Sequence, residues 1–256
     1  MLPFALAIFT GAFLLFLGQP LVGKYVLPWY GGGPGVWTTC LLFFQGMLLA
    51  GYAYAHLLSS RLAPRTQALV HGAVLVAALC FLPMAPSESW RPRPGDDPVR
   101  SILLLLGATI GLPYVALSAT GPLLQRWFSL ARPGVSPYRL YALSNVGSLL
   151  ALIGYPLLVE PRLSRAGQAL AWSAGVLLFA VLVGVCALVV WRNARGRGDA
   201  AADGVSAAEG TGAADGGDEQ PGDGILWLVL PAIASVLLAA TTTRLCQDVA
   251  AMSLLW

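Results

Sequence analysis

Apolar residues run through this chain in long blocks free of Asp, Glu, Lys and Arg, and the charges are confined to the gaps. The blocks are 1–23, 25–60, 66–87, 101–125, 140–159, 166–191 and 224–243. Each is as long as, or longer than, the roughly 20 residues with which a helix crosses a hydrocarbon core of about 30 Å. Runs such as Leu103-Leu104-Leu105-Leu106 and Val176-Leu177-Leu178-Phe179 do not alternate, which excludes the two-residue period of membrane strands. In lipid a backbone must satisfy its own hydrogen bonds, so the blocks predict helices. The expectation is an all-α polytopic membrane bundle of about seven transmembrane helices, six and then one, like half of a transporter fold.

The gaps punctuate this pattern. Tyr30-Gly31-Gly32-Gly33-Pro34-Gly35 separates the first two spans, and Arg61-Leu62-Ala63-Pro64-Arg65 the second and third. A polar loop from Met84 to Pro98 carries four prolines. Arg132-Pro133-Gly134 and Glu160-Pro161-Arg162 precede the fifth and sixth spans. From Asn193 the composition changes to Ala, Gly, Asp and Glu with no aromatic residue until Trp227. Such a segment has little apolar surface to bury and predicts disorder. The expected organisation is a six-helix bundle over 1–192, a disordered linker over 193–224, and a seventh helix in 225–256. The apolar ending Ala250-Ala251-Met252-Ser253-Leu254-Leu255-Trp256 reads as the entry to an eighth helix.

Several blocks contain polar residues, which are costly at membrane depth and are expected to face protein or a cavity. In the second block Thr38, Gln45, Tyr52 and His56 fall on one helical face, at offsets of 7, 14 and 18 from Thr38. In the fifth, Tyr141, Asn145 and Ser148 do the same at i, i+4 and i+7. The fourth carries Ser118, Thr120 and Gln125 between and beyond Pro113 and Pro122, and these prolines predict a kinked or interrupted helix. Gln45, Tyr52, Gln125, Tyr141, Asn145 and Ser148 are therefore candidates for a polar cavity. Interhelical hydrogen bonding without a cavity is the alternative. Arg244 and Asp248, four residues apart, are candidates for a local ion pair.

Charge and composition narrow the function classes. Charged residues make up 11% of the 256 residues and apolar residues 57%, with a net charge of +3. Lys24 is the single lysine against fourteen arginines, and these sit singly or in pairs between spans rather than on one face. No nucleic-acid surface follows from that distribution. Cys40, Cys80, Cys186 and Cys246 show no metal-ligand spacing with each other or with His56 and His71, so no metal or other cofactor is expected. The glycine run at 31–35 is not a phosphate loop, since membrane helices flank it. No nucleophile–base pair is apparent, and the chain is not expected to be an enzyme. With the N-terminus inside, the cytoplasmic loops hold eight Lys and Arg residues and the outer loops seven. The expectation is a multi-pass protein of the bacterial cytoplasmic membrane with a cytoplasmic N-terminus.

Ordered motifs run through most of the chain. They include Gly35-Val36-Trp37-Thr38-Thr39-Cys40, Leu49-Ala50-Gly51-Tyr52-Ala53-Tyr54-Ala55-His56 and Gly111-Leu112-Pro113-Tyr114. Ser118-Ala119-Thr120-Gly121-Pro122-Leu123-Leu124-Gln125-Arg126-Trp127-Phe128, Tyr138-Arg139-Leu140-Tyr141-Ala142-Leu143-Ser144-Asn145-Val146-Gly147-Ser148 and Val159-Glu160-Pro161 follow. Together they resemble the membrane domain of bacterial proteins in which a transporter-like region of the major-facilitator type is fused to a spermidine-synthase-like domain. The resemblance implies a transporter-like domain for a small solute, with polyamines as the candidate class. The alternative is a non-catalytic scaffold that anchors an aminopropyltransferase-like domain or joins a larger membrane complex. Its partners would be the lipid bilayer and a membrane protein or further C-terminal domain. No residue here matches the synthase domain's catalytic or cofactor sites.

Overall fold

The protein is described by a computed structural model covering residues 1–132, 135, 138–203 and 233, with side chains as far as Arg192 and at Ile233. The chain divides into two compact units, Met1–Asp203 and Gly204–Trp256. The second is described only at Ile233, which is helical. The expected linker beyond Asp203, the seventh helix and the Arg244–Asp248 pair lie outside the described residues.

The first unit is an all-helical bundle with no strand among the described residues. Its main helices are α1 (Leu2–Tyr30), α2 (Pro34–Arg61), α3 (Pro64–Leu79), α4 (Pro98–Leu106) and α5 (Leu112–Ala131). They are followed by α6 (Tyr138–Gly154), the short α7 (Glu160–Arg162) and α8 (Arg165–Asp203). Prolines in the first turns of α1 to α4 fit positions whose N–H has no intrahelical acceptor. Asp97 caps α4, its Oδ1 accepting from the backbone N–H of Val99 at 2.8 Å and of Arg100 at 3.2 Å.

Two π-helical turns interrupt the regular ladder. Gly107–Gly111 joins α4 to α5, and Tyr155–Val159 joins α6 to α7. A proline stands beside or within each, Pro113 and Pro156. Proline cannot donate to the carbonyl four residues back, and an i→i+5 turn takes up the altered geometry without ending the helix. Pro122, by contrast, sits inside continuous α5.

Among the described residues, five helical stretches are long and apolar enough to cross a membrane: Leu2–Tyr30, Pro34–Arg61, Pro98–Ala131, Tyr138–Arg162 and Arg165–Arg192. The third block departs from expectation. Its helix, α3, has 16 residues and is about 24 Å long at 1.5 Å per residue. The chain leaves the helix at Cys80 because Leu82 precedes Pro83 and so disfavours the α region, and Pro86 follows. Charge-free length therefore overstated helical length in this block. α8 also continues as helix to Asp203, beyond the expected start of the linker at Asn193.

α1 packs against α6, α8 and α5, α2 lies along α5 and α4, and α3 rests on α8 and α5. The core between them is built on Tyr114, Trp127, Phe128, Trp172 and Phe179, all at most 1% exposed. The indole N–H of Trp172 donates to the Leu14 carbonyl at 2.9 Å, tying α8 to α1. Two close approaches require glycine. A Cβ on Gly51 would stand 1.8 Å from Ser118 Oγ, and one on Gly147 would stand 2.8 Å from the Phe9 carbonyl oxygen. At the far end of α1, Lys24 is ion-paired with Glu160 of α7. Beside it, the Tyr25 hydroxyl donates to the Arg165 carbonyl at 3.2 Å.

Candidate functional site

The packing of α1, α2, α5, α6 and α8 leaves a cavity of about 380 Å³ that opens on one side of the unit. That size is within the roughly 300–1,000 Å³ of small-molecule sites. Its inner wall is α5, which contributes Ser118, Thr120, Gly121, Pro122 and Gln125. Gly11, Ala12 and Phe16 of α1 and Phe179 of α8 form an apolar flank. α2 brings Tyr52 and α6 brings Tyr141, Ser144, Asn145 and Ser148. Tyr52 and Tyr141 are 48% and 59% exposed, which places them at the mouth.

Helical periodicity explains how α6 serves the site. Tyr141, Ser144, Asn145 and Ser148 repeat at three- and four-residue intervals and fall in one row. The adjacent row, Leu140, Gly147 and Ala151, is buried. Gly147 lets α6 approach the α1 backbone, which brings the polar row next to the cavity.

Five of the six candidate residues, Tyr52, Gln125, Tyr141, Asn145 and Ser148, line this one cavity, as does Pro122. Pro113 is buried behind it in α5. Asn145, like the two tyrosines, is exposed where it borders the cavity. Gln45 is different: it does not line the cavity and is exposed on the outer face of α2, as are Thr38 and His56. This corrects the expectation that Gln45 faces the interior. The side of α2 that packs on α5 carries Phe43, Phe44, Gly51, Ala55 and Leu58. Gln45 lies about 200° around the helix from Phe43, at 100° per residue. Spacing placed the polar residues of α2 on a common face without saying which way that face turns. Ser144 and the apolar walls from α1 and α8 carried no sequence signal of their own, apart from the position of Ser144 beside Asn145.

No Asp, Glu, Lys or Arg is among the described residues lining the cavity. Three of its hydroxyls donate into their own helices: Ser118 to the Val115 carbonyl at 3.0 Å, Thr120 to Ala116 at 2.6 Å and Ser148 to Ser144 at 3.0 Å. Their oxygens retain acceptor capacity toward the cavity. Tyrosine hydroxyls and the Gln125 and Asn145 amides can both donate and accept. The site is thus neutral and hydrogen-bonding, with an aromatic mouth and an apolar flank.

Fold and site define an all-helical bundle of membrane-spanning type with a polar pocket between its helices. Comparison with family models, with curated proteins and with solved structures finds no match.

Proposed function

We propose that this chain is a transporter-like domain of the bacterial cytoplasmic membrane, with a cytoplasmic N-terminus, that binds a small polar solute in the pocket bounded by α1, α2, α5, α6 and α8. The observation that carries the reading is the convergence of five polar or tyrosine side chains from three helices on a cavity of about 380 Å³. Polar groups at this depth are costly unless they have partners. Grouping them around a space rather than in a dry seam suits a ligand or water.

The chemistry of the lining selects among solutes. Phenol, amide and hydroxyl groups suit an uncharged or zwitterionic molecule. A polyamine, the solute class implied by the family resemblance, would lack a carboxylate partner here. The described lining residues also include no nucleophile–base pair, which favours binding over catalysis.

Titration calorimetry on the full chain in nanodiscs tests this reading, with glucose, glutamine and spermidine as probes. The expected result is binding of glucose or glutamine, weakened at least about tenfold by Asn145→Ala, and none of spermidine. Spermidine binding sensitive to Asn145→Ala would keep the site but overturn its solute class. Binding of no probe, or binding indifferent to Asn145→Ala, would count against the pocket as the site.

A second reading has its own support. α6 buries only Leu140, Gly147 and Ala151, and α2 turns Gln45 outward. An amide facing hydrocarbon without a partner is unfavourable, so these faces favour a scaffold that meets another membrane protein or further domain.

A further inference from the structure

His71 stands at the centre of α3 and is fully buried. Its Nε2 is 2.8 Å from Thr120 Oγ1 on α5. The threonine has one hydroxyl proton, which it donates to the Ala116 carbonyl at 2.6 Å. Oγ1 can therefore only accept from the ring, and the imidazole is the Nε2–H tautomer. Nδ1 is left as a buried acceptor without a hydrogen-bond partner. The Tyr54 hydroxyl on α2 is likewise buried and unpartnered, and its ring centroid is 6.0 Å from that of His71. The Trp127 ring closes the other side, its centroid 6.4 Å away and nearly perpendicular. Its N–H is committed to Gln67 Oε1 at 2.9 Å.

The same Thr120 lines the solute pocket. One side of this residue faces the cavity and the other holds the histidine, so the seam between α2, α3 and α5 is the back wall of the pocket. We propose that His71 is a proton-operated latch on that wall: the closed seam accepts only the neutral imidazole, and protonation at Nδ1 opens it.

The argument is one of partners. An imidazolium needs an acceptor at Nδ1 and compensation for its charge. α2 offers the Tyr54 hydroxyl, which is not within hydrogen-bonding distance. α5 offers Thr120 and Trp127, neither titratable, and its Arg126 is exposed. α8 offers the buried thiol of Cys186, and α3 itself has Cys80 and Arg65, whose guanidinium rests on Trp191. None of α2, α3, α5 or the α8 stretch through Arg192 contains a carboxylate. A buried charge in that setting is strongly disfavoured unless water reaches it. Opening supplies water to Nδ1 and the Tyr54 hydroxyl together. The step is a simple proton gain: a solvent proton adds to the Nδ1 lone pair, Nε2–H stays in place, and the ring gains one positive charge. Because the proton binds the open form and not the closed one, lowering pH moves the population toward open. One linked proton changes the ratio by up to about tenfold per pH unit.

Two measurements on the full chain in nanodiscs test the latch. Imidazole ¹⁵N spectra, with His56 identified through His56→Gln, report the protonation state of His71. Backbone hydrogen exchange over 64–79, corrected for intrinsic rates, reports opening. From about pH 8 to about pH 4, the expected result is a shift from the Nε2–H tautomer toward imidazolium, with a loss of α3 protection of about tenfold or more. His56→Gln should behave as wild type, and His71→Gln should abolish the pH dependence. Equal pH dependence in wild type and His71→Gln would overturn the proposal. Should His71→Gln fail to fold, the wild type still decides, because the two transitions must coincide. An imidazolium that forms without loss of protection, a loss without the imidazolium, or neither change across the range contradicts the latch.

Discussion

At the scale of single residues, two glycines and one tryptophan hold the helices at the distances the pocket requires. Gly51→Ala puts a methyl group against Ser118 and within 3.0 Å of the Val115 carbonyl, where backbone must move. The expected cost is about 1–3 kcal/mol, read as a lower midpoint in denaturant unfolding of the detergent-solubilised protein. Ser118→Gly should recover part of the loss, since it removes the nearer obstacle. Trp172→Phe keeps an aromatic ring but removes the donor to Leu14 and leaves a void in the core, and should cost about 2–4 kcal/mol in the same assay. The Lys24–Glu160 pair is partly solvent-exposed, with side-chain exposures of 37% and 32%. A double-mutant cycle with Lys24→Met and Glu160→Gln should give a coupling below about 1 kcal/mol. A larger value would mean that the pair governs the α1–α7 junction. Much of this scale was hidden in the sequence. Nothing in the spacing of Gly51 or Gly147 names the atom each must admit. Asn145 and Ser148 could be placed on one face because a helix fixes their angle, whereas the direction of the Gln45 face depended on which side of α2 offered the larger apolar surface to α5.

At the scale of elements, membrane character was legible because each long block had to house its own backbone hydrogen bonds. Element ends were less so. α3 ends at Leu79 although charge-free sequence runs to Ser87, since proline chemistry rather than charge terminates it. The Pro113 region read as a kink or break and is a π-helical turn that keeps α4 and α5 in one continuous stretch of 34 residues. Such turns leave weaker backbone hydrogen bonds than the α-helix around them. Hydrogen exchange in nanodiscs should therefore be faster at 107–111 than at 114–120, by about tenfold or more. Equal protection of the two segments would show that the turn is no softer than its flanks.

At the scale of the whole molecule, the first unit is a bundle whose best-buried stretch is Pro98–Ala131 and whose least-buried is Tyr138–Arg162. That contrast makes α5 the inner wall of the pocket and α6 its outer lip. The account rests on the pocket being wet and reachable while the neighbouring face of α6 meets lipid. Substituted-cysteine accessibility examines this directly, in full-length protein in membranes with the four native cysteines replaced. Single cysteines at Ser144 and Asn145 report the pocket, and cysteines at Val146 and Leu150 report the exposed apolar face of the same helix. A membrane-impermeant reagent reaches only positions open to water, and the cysteine thiol must ionise there to react. The account predicts labelling at Ser144→Cys and Asn145→Cys at least about tenfold faster than at Val146→Cys and Leu150→Cys. Equal, slow labelling at all four positions would contradict it, because the polar row of α6 would then face a dry seam or lipid and the pocket would hold no solute.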